Sequence, residues 1–252
     1  MTTITIGQRK GGNGKSTSTL NLAEAFAMRG KRVLVIDLDD QKNSTSAIEA
    51  AAPTHTVEEL LLRPEVTVAA AAVPTAWEGV SLIAASGSLS GAIRELDGEV
   101  GSHLALREKL AAATDFDICL IDTSPSLNIL VVNALCASRY LFIPLSSKYF
   151  SLQGLGQTLE AFAKVKSRLN PELEIVGMAF VIHDGRSALA REVVQKARDE
   201  YPELVCEAMV GQNIKIEEAQ VKRQSIQRYA PEDRGSAQYR ALGDELLARI
   251  EG

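Results

Sequence analysis

Residues 7–19 read GQRKGGNGKSTST and follow directly on the short apolar run ITI. Glycine has no Cβ, so the backbone N–H groups of Gly11, Gly12, Asn13 and Gly14 can approach a phosphate closely. A helix that opens at the end of this loop adds partial positive charge. Lys15 is placed to pair with the β and γ phosphates of a nucleotide, and the Ser16 hydroxyl to ligate Mg2+. Two features depart from the ordinary phosphate loop. Arg9 stands where a glycine is usual, five residues before Gly14, and Lys10 is a second lysine with no role in the ordinary pattern.

Two later stretches supply carboxylates. VLVIDLDDQKNSTS (33–46) ends an apolar run with Asp37 and Asp39, two residues apart. On a strand that spacing turns both side chains to one face. FDICLIDTSPSLN (116–128) ends its apolar run on Asp122. A carboxylate there is costly unless it meets a cation, and Mg2+ would supply one.

The elements that must position these groups are legible as alternating patterns. TITIG (3–7), RVLVIDL (32–38), VSLIAA (80–85), DICLID (117–122), YLFIPL (140–145) and EIVGMAFVI (174–182) are nearly continuous apolar runs, as parallel strands buried on both faces require. Residues 15–29, 101–113, 126–137, 151–168, 187–200 and 234–251 carry helical spacing. Segment 49–73 is Ala-rich and reads as short helices and a loop. Alternating β and α predicts an α/β fold, a doubly wound, mostly parallel sheet with helices on both faces. The 252 residues read as one domain, with no helix-turn-helix extension before the first strand.

Composition excludes several classes. A net charge of −5 argues against a protein that coats nucleic acid over its whole surface, though not against a local basic patch. The three cysteines, Cys119, Cys136 and Cys206, form no C-x-x-C pair, so neither a disulfide framework nor a zinc site is expected. No stretch approaches the roughly 20 apolar residues of a membrane helix, and the N-terminus lacks the basic and apolar regions of a signal peptide. A cytoplasmic protein with reduced thiols is expected.

KGGNGKST (10–17) resembles the deviant Walker A motif, K-G-G-x-G-K-[ST]-[ST], of the ParA/MinD ATPases. The resemblance accounts for both anomalies. That motif has no glycine at the position of Arg9, and its signature lysine falls on Lys10. It implies a P-loop ATPase using ATP and Mg2+, with Lys10 through Thr17 on the nucleotide and Lys10 reaching the ATP of a partner subunit in a nucleotide-sandwich homodimer. Such a cation supplied in trans stabilises transferring charge as arginine fingers do. Residues 33–46 resemble the family's D-x-D-P-Q-G-N segment, which implies that Asp39 orients the attacking water and helps hold the metal with Ser16 and Asp122, while Asp37 supports the loop and the metal shell. Asp40 replaces the usual proline there and Lys42 the usual glycine. Residues 116–128 look like the Walker B segment, with Ser124 in place of the first of two prolines. VGQNIKIEEAQ (210–220) resembles the adenine-side segment and implies a nucleotide contact at Asn213, although Gly211 and Gln212 replace Pro-Arg. YAPEDRGSAQYRAL (229–242) also matches the family pattern.

Three jobs are known within such a family. An iron-protein relative needs cluster-ligating cysteines on loops, which Cys119 and Cys136 do not provide. A MinD-type membrane-cycling ATPase needs a basic amphipathic C-terminal helix, whereas this chain ends GDELLARIEG. The third is a ParA-type ATPase that binds DNA without sequence preference as an ATP dimer. It implies DNA contacts at Arg186 and Lys215, with Lys222, Arg223 and Arg228 either joining them or remaining solvated charges. The expected protein segregates or positions a chromosome, plasmid or protein cluster, hydrolyses MgATP slowly, and is stimulated by a ParB-like or cargo-adaptor partner. It is nucleoid-associated and not membrane-bound. The alternative is the MinD-type role in positioning a division or polar complex.

Overall fold

The computed structural model describes residues 1–87, 89–147 and 151–252. Its strands are β1 (Thr2–Ile6), β2 (Val33–Leu38), β3 (Val73–Pro74), β4 (Val80–Ile83), β5 (Ile118–Thr123), β6 (Tyr140–Ser146) and β7 (Glu174–Ile182). They form one sheet in the order β3-β4-β2-β5-β1-β6-β7, with every pairing parallel except the edge pair β3–β4. All six expected strands are present. The two-residue antiparallel β3 was not anticipated, since it is too short to carry a period.

The helices are α1 (Lys15–Ala27), α2 (Asn43–Ala47), α3 (Val57–Leu62), α4 (Val68–Ala71), α5 (Leu89–Asp97), α6 (Ala105–Ala111), α7 (Ile129–Ala137), α8 (Ser151–Arg168), α9 (Ala188–Glu200), α10 (Ile214–Val221), α11 (Ile226–Tyr229) and α12 (Arg234–Glu251). Helices α3 and α4 answer to the Ala-rich segment. The stretch expected as a helix over 101–113 begins instead as a tight turn at Ser102–Leu104 and is α-helical only over α6. Helix α7 starts three residues later than expected. There the Asn128 carboxamide accepts from Leu130 N and Val131 N and so fixes the first turn.

Helices sit on both faces. On one, Leu22 and Phe26 of α1 and Tyr239 and Leu242 of α12 pack against Ile4, Ile6, Val33 and Val35. On the other, Leu130 and Ala134 of α7 pack against Cys119 and Ile121 of β5, with α3, α5 and α6 beside them. The Leu, Ile, Val and Phe side chains among these each contribute about 1.5–3 kcal/mol when removed from water. Strands β1 and β5 are neighbours, yet the helices that follow them leave for opposite faces. That divergence opens a crevice at their carboxyl ends, where open parallel sheets bind ligands. Register sharpens the point, because Asp122 pairs with Ile6 on one side and with Asp37 on the other. The phosphate loop and both acidic strand ends therefore meet at one edge.

Candidate functional site

Gly12 and Gly14 both stand at positive φ, 74° and 77°. Only glycine holds that conformation without strain, so these two residues shape the loop. At Gly14 space is short as well, since an added Cβ would lie 3.0 Å from Val181 Cγ2. Helix α1 opens at Lys15 with no acidic residue in its first turn, so its positive end faces the loop uncancelled. Lys15 is 6% exposed. Burial lowers its pKa, and the charges of Asp122 and Asp39 work against that shift.

The loop forms one wall of a cleft of about 550 Å³, lined among others by Gly12, Lys15, Ser16, Asp39, Pro125 and Gln220. The three carboxylates at this edge have different environments. Asp37 is consumed by the protein. Its Oδ2 accepts from Thr45 N at 2.7 Å and Thr45 Oγ1 at 2.8 Å, and its Oδ1 from Asp39 N at 3.1 Å. Asp39 lines the cleft, and its Oδ1 accepts from Gln41 N at 3.0 Å. Asp122 is fully buried. Burial and the neighbouring charge of Asp37 push its carboxyl up to about 7, against the hydroxyls of Ser44 and Ser16. Its Oδ2 accepts from Ser44 Oγ at 2.6 Å, while its Oδ1 has no hydrogen-bond partner.

An orphaned carboxylate oxygen in a dry site is costly, and a divalent cation relieves that cost. The donor set of Ser16 and Asp122, all hard oxygen, suits Mg2+. Among the described residues no group of three or more His, Cys, Asp or Glu side chains is placed to hold a metal alone. The rest of the shell thus falls to phosphate oxygens and water, as is usual for Mg2+.

Lys10 does not line its own cleft. It packs against the start of α8, where a Cβ added to Gly154 would stand 2.9 Å from Lys10 Cβ. Asn213 caps α10 by accepting from Lys215 N, and lines a narrower groove of about 100 Å³ beside Gly14, Thr17 and Gln220. The expected DNA contacts split into two sets. Arg186 lies on the loop after β7 with its side chain 97% exposed, and it borders the concavity that Ile214 and Asn213 line at the start of α10, where Lys215 sits. Lys215 Nζ pairs with Glu218 at 2.9 Å and lies 5.7 Å from the Tyr229 ring. Lys222 and Arg223 are exposed past the other end of α10, about 10 Å along the helix from Lys215 at 1.5 Å per residue. Arg228 is not a free basic group. Its Nε pairs at 2.9 Å with Glu24, whose side chain is 6% exposed.

Two residues at the site carry little sequence signal. Gln220 Nε2 donates to Thr17 Oγ1 at 2.7 Å, a contact spanning 203 positions. Ser44 reaches Asp122 across 78 positions. Only the hydroxyl-rich run NSTS (43–46), just after the acidic pair, hints at the second.

A phosphate loop between the first strand and helix of a parallel sheet, with an acidic strand end beside it, defines a P-loop nucleoside triphosphatase. Residues 1–175 match the AAA domain family. Over 248 residues the chain is 34% identical to the chromosome-partitioning ATPase Soj of Thermus thermophilus, covering 98% of this chain and 96% of that protein. It is 34% identical over 250 residues to the chromosome partitioning protein ParA of Caulobacter vibrioides, covering 98% and 94%. A solved structure of cobyrinic acid a,c-diamide synthase from Mycobacterium smegmatis, with a bound ATP analogue and magnesium, superposes with a TM-score of 0.86 at 30% identity, over 100% of this chain and 96% of that one. The chain belongs to the ParA/Soj-type ATPases of the ParA/MinD family.

Proposed function

We propose that the chain is an ATP-dependent dimerising ATPase that binds DNA without sequence preference and segregates or positions a cargo, with hydrolysis stimulated by a partner protein of the ParB or cargo-adaptor kind. The observation that carries this reading is the pair of loop lysines in different places. Lys15 is buried at the cleft wall, within reach of the charges of Asp39 and Asp122, while Lys10 lines no part of that cleft. One lysine serves the chain's own nucleotide and the other suits a neighbour's.

Within one subunit, Lys15 and the amides of Gly11 through Ser16 bind the phosphates, with Thr17 and Asn213 toward the rest of the nucleotide. Ser16 and Asp122, with Asp39, would hold Mg2+, which would offset the charge that builds on the phosphate oxygens. The solved relative with an ATP analogue and magnesium supports that cofactor pair. Asp39 orients the attacking water. Its Oδ1 is held by Gln41 N–H.

Measured ATP binding and turnover test the assignment. Lys15→Ala should abolish nucleotide binding. Asp39→Ala should retain ATP and form a dimer that does not turn over. An Asp39→Ala protein that hydrolysed ATP at the parent rate would remove Asp39 from its role.

A further inference from the structure

Asp122 and Ser44 are both fully shut off from solvent. No bulk water can orient the Asp122 carboxylate, so its direction is set by protein donors. Ser44 Oγ donates to Oδ2 at 2.6 Å, the short range of a charge-assisted bond, and Oδ1 is left without a partner.

Ser44 itself is held by backbone. It lies in the first turn of α2, which starts from Lys42 in the left-handed conformation, with Ser46 N bonded to Lys42 O at 2.8 Å. The next residue, Thr45, ties the same turn to Asp37 of β2 and, through Ala85 N at 3.0 Å, to the chain leaving β4. The turn is therefore pinned on both sides of Ser44, and the hydroxyl has little freedom except toward Asp122.

We propose that Ser44 is a positioning residue for the metal: by occupying Oδ2 of Asp122 it holds that carboxylate with a single oxygen, Oδ1, left for the cation. The proposal rests on the nucleotide reading above. It also links two parts of the site, because Ser44 follows Asp39 on one short loop. The carboxylate that faces the metal is latched to the loop that carries the water-orienting carboxylate. Groups that orient a metal-binding side chain are typically worth 10–100-fold in metal affinity.

Mn2+ is a usable probe, since its free form is counted directly by electron paramagnetic resonance. The parent, Ser44→Ala and Ser44→Cys are compared in the presence of a non-hydrolysable ATP analogue. Ser44→Ala should weaken Mn2+ binding about tenfold or more. Cysteine fills nearly the same space but is a weak donor, so Ser44→Cys should fall between parent and alanine. The ratio of analogue affinity with and without Mn2+ should collapse in the same order, and this ratio cancels general damage to the fold. Parent-like Mn2+ affinity in Ser44→Ala would overturn the proposal. Parent-like affinity in Ser44→Cys would overturn it too, since shape alone would then suffice. A parent that bound neither Mn2+ nor the analogue would overturn the nucleotide reading along with it.

Discussion

At Lys42 the backbone turns to φ 52°, a conformation that a side chain with a Cβ pays for and glycine does not. The family segment has glycine at this place, and the structure shows why: the turn must reverse sharply to set α2 against both Asp37 and Asp122. Lys42→Gly should therefore raise the free energy of unfolding by about 0.5–1 kcal/mol, the relief of strain exceeding glycine's added freedom in the unfolded chain. Urea melts of the metal-free protein check this, and an unchanged or lower midpoint would mean that the Lys42 side chain compensates for its conformation. Asp37 and Asp39 separate at the same scale. Asp37 satisfies three donors inside the fold, whereas Asp39 faces the cleft. Asp37→Ala should cost about 2–3 kcal/mol of stability, because buried donors lose a charged acceptor. Asp39→Ala should cost far less stability and most of the turnover.

Among elements, a series of long-range bonds joins α1 to the segment carrying α10 and α11. Thr17, Asn21 and Glu24 form one stripe on α1, at spacings of four and three. Thr17 Oγ1 accepts from Gln220 at 2.7 Å, Asn21 Oδ1 from Ile226 N at 2.8 Å, Asn21 O from Gln227 Nε2 at 2.9 Å, and Glu24 pairs with Arg228 at 2.9 Å. The stripe runs from the nucleotide cleft to the opposite end of the sheet. Its last rung is a buried acid whose pKa is raised by burial, an effect opposed by Arg228. Removing Arg228 would strand that carboxylate. Arg228→Ala should cost about 2–3 kcal/mol at neutral pH, below the 3–5 typical of fully buried pairs because the arginine is itself a third exposed. A carboxyl whose folded pKa is raised loses stability as pH climbs above its unfolded value of 4.5. The deficit of Arg228→Ala should thus be full at neutral pH and shrink as pH falls through the raised folded value. Denaturant melts of parent and variant across that range measure it.

The proposed DNA binding must be reconciled with a net charge of −5. Its long-range attraction to phosphate is small, so local cations must act together. If Lys10 serves a partner's nucleotide, Lys10→Ala should bind ATP as a monomer and fail to dimerise in sedimentation. A stable ATP dimer of that variant would reduce Lys10 to a loop residue. Dimerisation would double the phosphate contacts of the Arg186 and Lys215 region. Each neutralised phosphate contributes about −0.9 to the log–log salt slope, so the ATP dimer should show about twice the slope of the monomer. Arg186→Glu should weaken all duplex sequences alike, since contacts to phosphate position without specifying. Arg186 is the sharper choice, because its side chain is 97% exposed and its contact with Asp184 is long at 3.7 Å, while Lys215 pairs with Glu218 at 2.9 Å. An ATP-trapped dimer that ignored DNA and bound anionic liposomes would point to membrane cycling instead. No helix among the described residues is long and apolar enough to cross a membrane.

Features that depend on neighbours along the chain can be read before it folds. The phosphate loop is legible because positive φ at Gly12 and Gly14 is a local demand that glycine alone meets cheaply. The six longer strands are legible because strands buried on both faces need continuous apolar runs, and Asp37, Asp39 and Asp122 stand out because each ends such a run. Helix α10 escaped because it is eight residues long and buries only Ile216 and Ala219, too few to make a period. That β5 lies between β2 and β1, which brings Asp122 level with Asp37, is a matter of strand order that no local pattern encodes. The same holds for Ser44 on Asp122, Gln220 on Thr17 and the capture of Arg228 by Glu24. Each of these bonds joins residues far apart in sequence. A hydrogen bond of that kind is specified by where two elements dock, which leaves no spacing in the chain to read.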